Sequence, residues 1–94
     1  MNYEELWDNL KERELVVEVT MYNAGTFKCD SGKAVQQKNR KTGKTEILIY
    51  GDFQRGMLNG DFITLKVDSS IFVEDQFILI QDKRKEVKIE NKRF

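Results

Sequence analysis

Gly43-Lys44-Thr45 carries the last three residues of a phosphate-binding P-loop, Cys29 is a lone thiol beside Lys28, and Asp52, Asp61, Asp68, Glu74, Asp75 and Asp82 supply carboxylates over one stretch of chain. Each has a chemical requirement to meet. A P-loop needs a glycine five positions before Gly43 and a helix after the motif, so that backbone N–H groups cradle the phosphates. That position is Lys38, and Thr45 to Tyr50 reads as a strand, so nucleotide hydrolysis is set aside in favour of a hairpin tip. General acid/base work needs two carboxylates held together, whereas these are spaced singly and fall at turn positions where Asp bonds its own backbone. Glu74-Asp75 is read as a turn rather than as half of a cation site. Cys29 is read as a half-buried small hydrophobe, and a single cysteine cannot form an internal disulfide, which agrees with a reducing compartment. With no histidine at all, the chain lacks the commonest general base and metal ligand; classical triads and zinc sites are excluded. The expectation is a protein that is not an enzyme, with no cofactor and no metal.

What remains is charge. The chain has 16 basic and 16 acidic side chains, yet they are sorted into blocks. Residues 1–30 carry a net −4, 31–45 carry +5 with no acid, 46–82 carry −5, and 83–94 carry +4. Such sorting gives a neutral molecule locally basic and locally acidic surfaces, which orient a charged partner. Lys33, Lys38, Arg40, Lys41 and Lys44 form the uninterrupted basic block and are the leading binding candidates. Tyr22, Phe27, Tyr50 and Phe53 join them as aromatics on neighbouring strands, positioned to stack on unpaired bases or to anchor a protein. The alternative is a tip kept charged for solubility and to protect a sheet edge. Lys83-Arg84-Lys85, Lys88, Lys92 and Arg93 are diluted by Glu86 and Glu90 and read as a solvated edge or tail.

The elements that must position these residues are legible from periodicity. Asn2 with Glu5 at N3 makes a capping box, and Tyr3, Leu6, Trp7 and Leu10 fall at i, i+3, i+4 and i+7, so a short amphipathic helix is expected within residues 1–13. Its stripe is expected to pack over the open end or face of a barrel; the alternative is Trp7 as an anchor for a partner. From Leu15 the period becomes two, with Leu15, Val17, Val19 and Met21 on one face. A short strand Thr26–Cys29, a turn at Asp30-Ser31-Gly32, a stretch Ala34–Asn39 and a run Thr45–Phe53 follow. Arg40 to Lys44 forms the hairpin tip between the last two, with Gly43 supplying a positive φ. Ile47 to Tyr50 is the candidate central strand. Asn59-Gly60 signals a further hairpin, then come Phe62–Val67, Ile71–Val73, Phe77–Ile80 and Val87–Ile89.

One helix followed by five to seven short strands argues for a mainly β (α+β) single domain spanning 1–94: helix to residue 13, strands over 14–90, a tail from 91. The architecture expected is a small antiparallel barrel or strongly bent sheet of SH3, Sm or OB type. The run Ile63 to Val67, then Ile71 to Ile80, is similar to the closing strands of SH3-like and Sm-like barrels, where a strand, a tight turn and a short acidic-ended segment lead into an apolar final strand. The resemblance implies the fold alone, since no RNA-binding signature of the Sm family stands in the matching places.

No run reaches the roughly 18 apolar residues of a membrane span, and the opening Met1-Asn2-Tyr3-Glu4-Glu5 is acidic where a signal peptide is basic, so a cytoplasmic protein with no membrane partner is expected. Frequent Lys, Asn and Ile with no Pro or His is a bias associated with AT-rich bacterial or phage genomes. Two functions are carried forward. The first is a binding module encoded by a phage or mobile element that docks on a host protein or nucleoprotein complex handling nucleic acid and modulates or inhibits it. The second is a small-barrel protein binding single-stranded DNA or RNA through the 38–44 hairpin, which a pI near 6.3 disfavours. Either could self-associate into a homo-oligomer through edge strands.

Overall fold

In the computed structural model, which describes residues 1–53 and 62–90, one helix packs on a curled antiparallel sheet. Gly56, Asn59-Gly60, Asp61, Lys92, Arg93 and the tail lie outside the described residues. Helix α1 spans Tyr3–Leu10. The capping box is present: the Asn2 side chain accepts from Glu5 N (2.8 Å) and Glu5 Oε1 accepts from Asn2 N (3.3 Å). The helix stops short of residue 13 because Lys11 is extended and Glu12 takes a left-handed φ of 60°, a place usually given to glycine. The whole stripe is used for packing, with Leu6 and Leu10 buried in the core and Tyr3 and Trp7 partly buried against it.

The strands are β1 (Leu15–Met21), β2 (Gly25–Lys38), β3 (Thr45–Tyr50), β4 (Phe62–Leu65), β5 (Ser70–Val73), β6 (Phe77–Gln81) and β7 (Lys85–Glu90). Their order is β4-β3-β2-β1-β7-β6-β5. The two edge strands, β4 and β5, are thus neighbours in sequence, joined by Lys66 to Ser69. A flat seven-stranded sheet would set its edges about 29 Å apart at about 4.8 Å per strand, whereas Leu65 to Ser70 reaches at most about 18 Å. The sheet has to curl into a half-barrel, as the strand count and turn spacing lead one to expect.

The curl is concentrated in β2. The turn expected at Asp30-Ser31-Gly32 is absent; the chain runs through it as one strand of 14 residues, pairing with β1 in its first half and β3 in its second. A bulge opposite Leu15 to Val17 bends it there. Bare backbone permits the bend: a Cβ on Gly32 would stand 3.2 Å from Ile49 Cγ2, and one on Gly51 would overlap Cys29 Sγ. Turn-type composition here marks a fold in a strand, not its end.

The core follows the period-two faces. Leu15, Val17, Val19, Cys29, Ile47, Ile49, Ile63, Leu65, Ile78, Ile80, Val87 and Ile89 are buried together with the helix leucines. Strand β3 is interior, as Ile47 to Tyr50 suggests, though the middle of the sheet belongs to β1. The Tyr3 hydroxyl ties helix to sheet. It donates to Leu65 O and accepts from Ile47 N (2.7 Å), filling the gap between β3 and β4 where the ladder ends.

Candidate functional site: the basic hairpin and its outer face

The β2–β3 hairpin tip is built by Asn39. Its backbone N–H donates to Lys44 O (2.8 Å), its carbonyl accepts from Gly43 N (2.8 Å), and its side-chain oxygen accepts from Lys41 N (2.9 Å). This is the local bonding for which Asn is favoured at turns, and Gly43 closes the loop at φ 73° as the sequence predicts. Arg40, Lys41 and Lys44 project from an ordered loop. Among the described residues none of Lys33, Lys38, Arg40, Lys41 and Lys44 has a carboxylate within 4 Å. Glu46, the nearest acid in sequence, instead accepts from Asn39 Nδ2 (2.7 Å). A loop held by its own hydrogen bonds, with cations that have no carboxylate beside them among the described residues, has less conformational freedom to lose on meeting an anion than a loose one.

Register decides which other candidates belong to the site. Lys33 stands opposite Tyr50, and Tyr50 opposite Phe62, so the three form one row across β2, β3 and β4. The next row on that face is Val35, Leu48 and Thr64. Residues of the other parity, Ala34, Ile49 and Ile63, face the core. Tyr50 (42% exposed), Phe62 (36%) and Val35 (39%) are open to solvent, and the Tyr50 and Phe62 rings lie 5.5 Å apart at 40°. Val35, Leu48 and Phe62 are absent from the candidates drawn from sequence. Pairing Lys33 with Tyr50 across the tip and counting back by twos would have found the first two.

Two aromatic candidates are turned inward, and a third lies away from the tip. Phe53 is 2% exposed and part of the core, so it presents no ring to a ligand. Phe27 pairs with Val19 on the inward face and packs against the core, because the bend in β2 lies beyond it. Tyr22 is exposed but sits at the turn after β1, where its N–H donates to Arg84 O (3.0 Å). The 14 residues of β2 separate that end from the tip. The structure therefore brings together Lys33 and Tyr50 on one face, with Arg40, Lys41 and Lys44 in the tip beyond its end; Lys38, opposite Thr45, has the parity of Ala34 and lies on the other face, and Tyr22, Phe27 and Phe53 lie elsewhere.

In the second basic segment the fold engages Lys85 and Lys88, while Lys83 and Arg84 are exposed. Lys85 is nearly buried and its Nζ lies 2.8 Å from Asp82 Oδ2, while Asp82 Oδ1 accepts from Arg84 N (2.7 Å) and Lys85 N (2.9 Å). Burial pushes the Asp82 carboxyl up, but the Lys85 ammonium and the two backbone donors outweigh it and hold the group below the usual carboxylate range. Lys88 Nζ lies 5.0 Å over the Phe77 ring. At the far side, Glu12, Glu14, Asp30 and Glu90 line a cleft below the end of α1, with Ser31 Oγ donating to Glu14 (2.6 Å). The cleft draws on two blocks of the sequence, and Arg13 lines it beside the acids. Among the described residues no group of three or more Cys, Asp or Glu is placed to hold a metal ion, and no helix is long and apolar enough to cross a membrane.

The chain matches no known protein family, no curated protein and no solved structure.

Proposed function

We propose that this chain is a non-catalytic protein-binding module that docks through its basic β2–β3 hairpin, and that its partner is a component of a host complex handling nucleic acid, as expected of an accessory protein from a phage or mobile element. The observation that carries the reading is the hairpin itself: an ordered tip of Arg40, Lys41 and Lys44, with no carboxylate within 4 Å among the described residues. Charge arranged in this way steers association and fixes orientation more than it adds affinity. The blocks of the sequence fit the same reading, since a neutral chain with an uninterrupted basic block on one hairpin can meet a partner in one orientation.

Loss of Phe27, Phe53 and Tyr22 from the site removes most of the stacking platform a single-stranded nucleic acid would use, which favours the protein reading. The nucleic-acid reading keeps one specific observation, the row of Lys33, Tyr50 and Phe62. A pull-down from the native host compares wild type with the triple variant Arg40→Glu, Lys41→Glu, Lys44→Glu. Recovery of a defined partner by wild type and its loss in the variant is the expected result; equal recovery by both removes the hairpin from the interface. Titration of labelled single- and double-stranded oligonucleotides at low salt should show no saturable binding, and binding that the triple variant abolishes would transfer the function to nucleic acid.

A further inference from the structure

We infer that β5 is a self-association edge, at which two copies of this chain pair antiparallel about a two-fold axis through Phe72. The strand ends the sheet order on one side, and among the described residues it pairs with β6 alone. Its ladder fixes which backbone groups are already bonded. Glu74 N donates to Phe77 O (2.9 Å), and the alternation that follows gives the hydrogen bonds to β6 to Glu74, Phe72 and Ser70. Ile71 and Val73 therefore turn their N–H and C=O groups to the open edge. Their side chains share the inward face with Ile80 and Ile78, whereas Phe72 stands with Leu79 on the outer face. Val73 is 48% exposed and Phe72 47%, so β5 is open on both faces as well as at its edge. Sheet edges are commonly guarded by a lysine, a proline or a bulge; Ser70-Ile71-Phe72-Val73 has none of these. The opposite edge, β4, differs: its Ile63 and Leu65 are already buried, and Lys66 follows at once.

The residues of the strand select the register and, with it, the partner. Antiparallel pairing through the outward groups of Ile71 and Val73 leaves two-fold arrangements centred on Ile71, on Phe72 or on Val73. Centring on Ile71 sets Glu74 opposite Asp68 of the second copy, carboxylate against carboxylate; centring on Val73 sets Phe72 opposite Glu74. Centring on Phe72 avoids both. Ile71 then lies opposite Val73 of the second copy and exchanges both backbone hydrogen bonds with it, Phe72 meets Phe72, and Glu74 faces the Ser70 hydroxyl. Apolar side chains meet apolar side chains on each face, and no charge meets its own sign. The inner pairs extend the wall of Ile78 and Ile80, and the two Phe72 rings join Leu79 of each copy into one patch. A second copy supplies this pattern by symmetry alone. Four residues a side fall short of the roughly 1,000 Å² of a stable interface, so the dimer is weak and exchanging. Strands β1, β7 and β6 separate this edge from the basic hairpin, so the inference stands or falls apart from the proposed function.

Cysteine cross-linking of the full chain tests both the edge and the register. Opposed residues of a non-hydrogen-bonded antiparallel pair stand about 4.5 Å apart at Cα, a distance that a disulfide spans. Treated with diamide, the Phe72→Cys variant is expected to form a covalent dimer at least about tenfold faster than Ser70→Cys, which this register sets opposite residue 74. Cys29 is buried and adds little background. Adding Val73→Lys to Phe72→Cys is expected to remove the cross-link, and adding the triple hairpin variant to leave it unchanged. Because Phe72→Cys deletes the ring pair itself, sedimentation equilibrium of the unmodified chain is the second measurement, with mass expected to rise with concentration. Residues 70, 72 and 73 are exposed, and circular dichroism of each variant confirms that the sheet is intact. Equal rates for Phe72→Cys and Ser70→Cys, or a cross-link that persists beside a folded Val73→Lys, overturns the inference. So does an unmodified chain that stays monomeric up to about 1 mM. A cross-link abolished by the triple hairpin variant also overturns it, since the copies would then meet at the tip.

Discussion

Two side chains, Tyr3 reaching across the sequence and Asp82 bonding within its own turn, show how single residues fix this fold. Tyr3 lies in the first turn of α1, and its hydroxyl serves Leu65 O and Ile47 N together. Burial raises its pKa above the ordinary phenol value, partly offset by the Ile47 N–H. A raised value means that the neutral phenol is favoured in the fold: its contribution is complete below about pH 10 and is lost as pH climbs through the folded value. Tyr3→Phe leaves a backbone donor and acceptor without their partner and should cost about 1–3 kcal/mol, read from urea unfolding, while flattening the alkaline limb of the stability profile. Asp82 is the acidic counterpart. Its lowered pKa stabilises the fold above the unfolded value of about 3.9, and that stability is lost as pH falls through the lower folded value. Asp82→Asn strands the Lys85 ammonium, which makes 2.8 Å contact with no other carboxylate among the described residues. A loss of about 2–4 kcal/mol at pH 7, shrinking toward pH 3, is expected by thermal melts across that range.

Among the elements, β2 carries most of the architecture because one strand serves two halves of the sheet. Its bend depends on close backbone approach, with Gly51 against Cys29 and Gly32 against Ile49. Gly51→Ala should cost about 2–3 kcal/mol, and Cys29→Ala should recover part of that loss by making room. A double-mutant cycle in urea measures the coupling, and additive effects would show that the two residues do not meet. The segment is also where sequence reasoning erred. Asp30-Ser31-Gly32 has the composition of a turn, and locally it is free to be one. Only the pairing of Leu15 with Gly32 and of Lys33 with Tyr50 commits it to a continuous strand. The hairpin tip was legible by contrast, since Asn39 and Gly43 act on atoms within five residues of themselves.

At the scale of the whole molecule, the curl leaves β4 and β5 as edges. Edge β5 carries Phe72 and Val73, each about half exposed, on a strand of four residues. Unpaired edge groups beside exposed apolar side chains invite pairing with a second copy. Concentration-dependent self-association in sedimentation, suppressed by Val73→Lys and unaffected by the triple hairpin variant, is the expected outcome. Suppression by the hairpin variant instead would place the contact on the basic tip. Charge is distributed at this scale too: the 31–45 block stays together on the hairpin, while the acids of residues 12, 14, 30 and 90 meet from distant parts of the chain around one cleft.

The helix, its cap, the strand faces and the tip were determined by the sequence alone, because each depends on contacts within a turn or on a period along one strand. The composition of the site was decided by tertiary structure. Alternation says which residues share a face, but it does not say which strand lies alongside or which face is covered. Register put Lys33, Tyr50 and Phe62 in one row, and the bend in β2 turned Phe27 inward. Burial took Phe53 into the core and paired Lys85 with Asp82, removing an aromatic and a cation that composition alone offers to a partner.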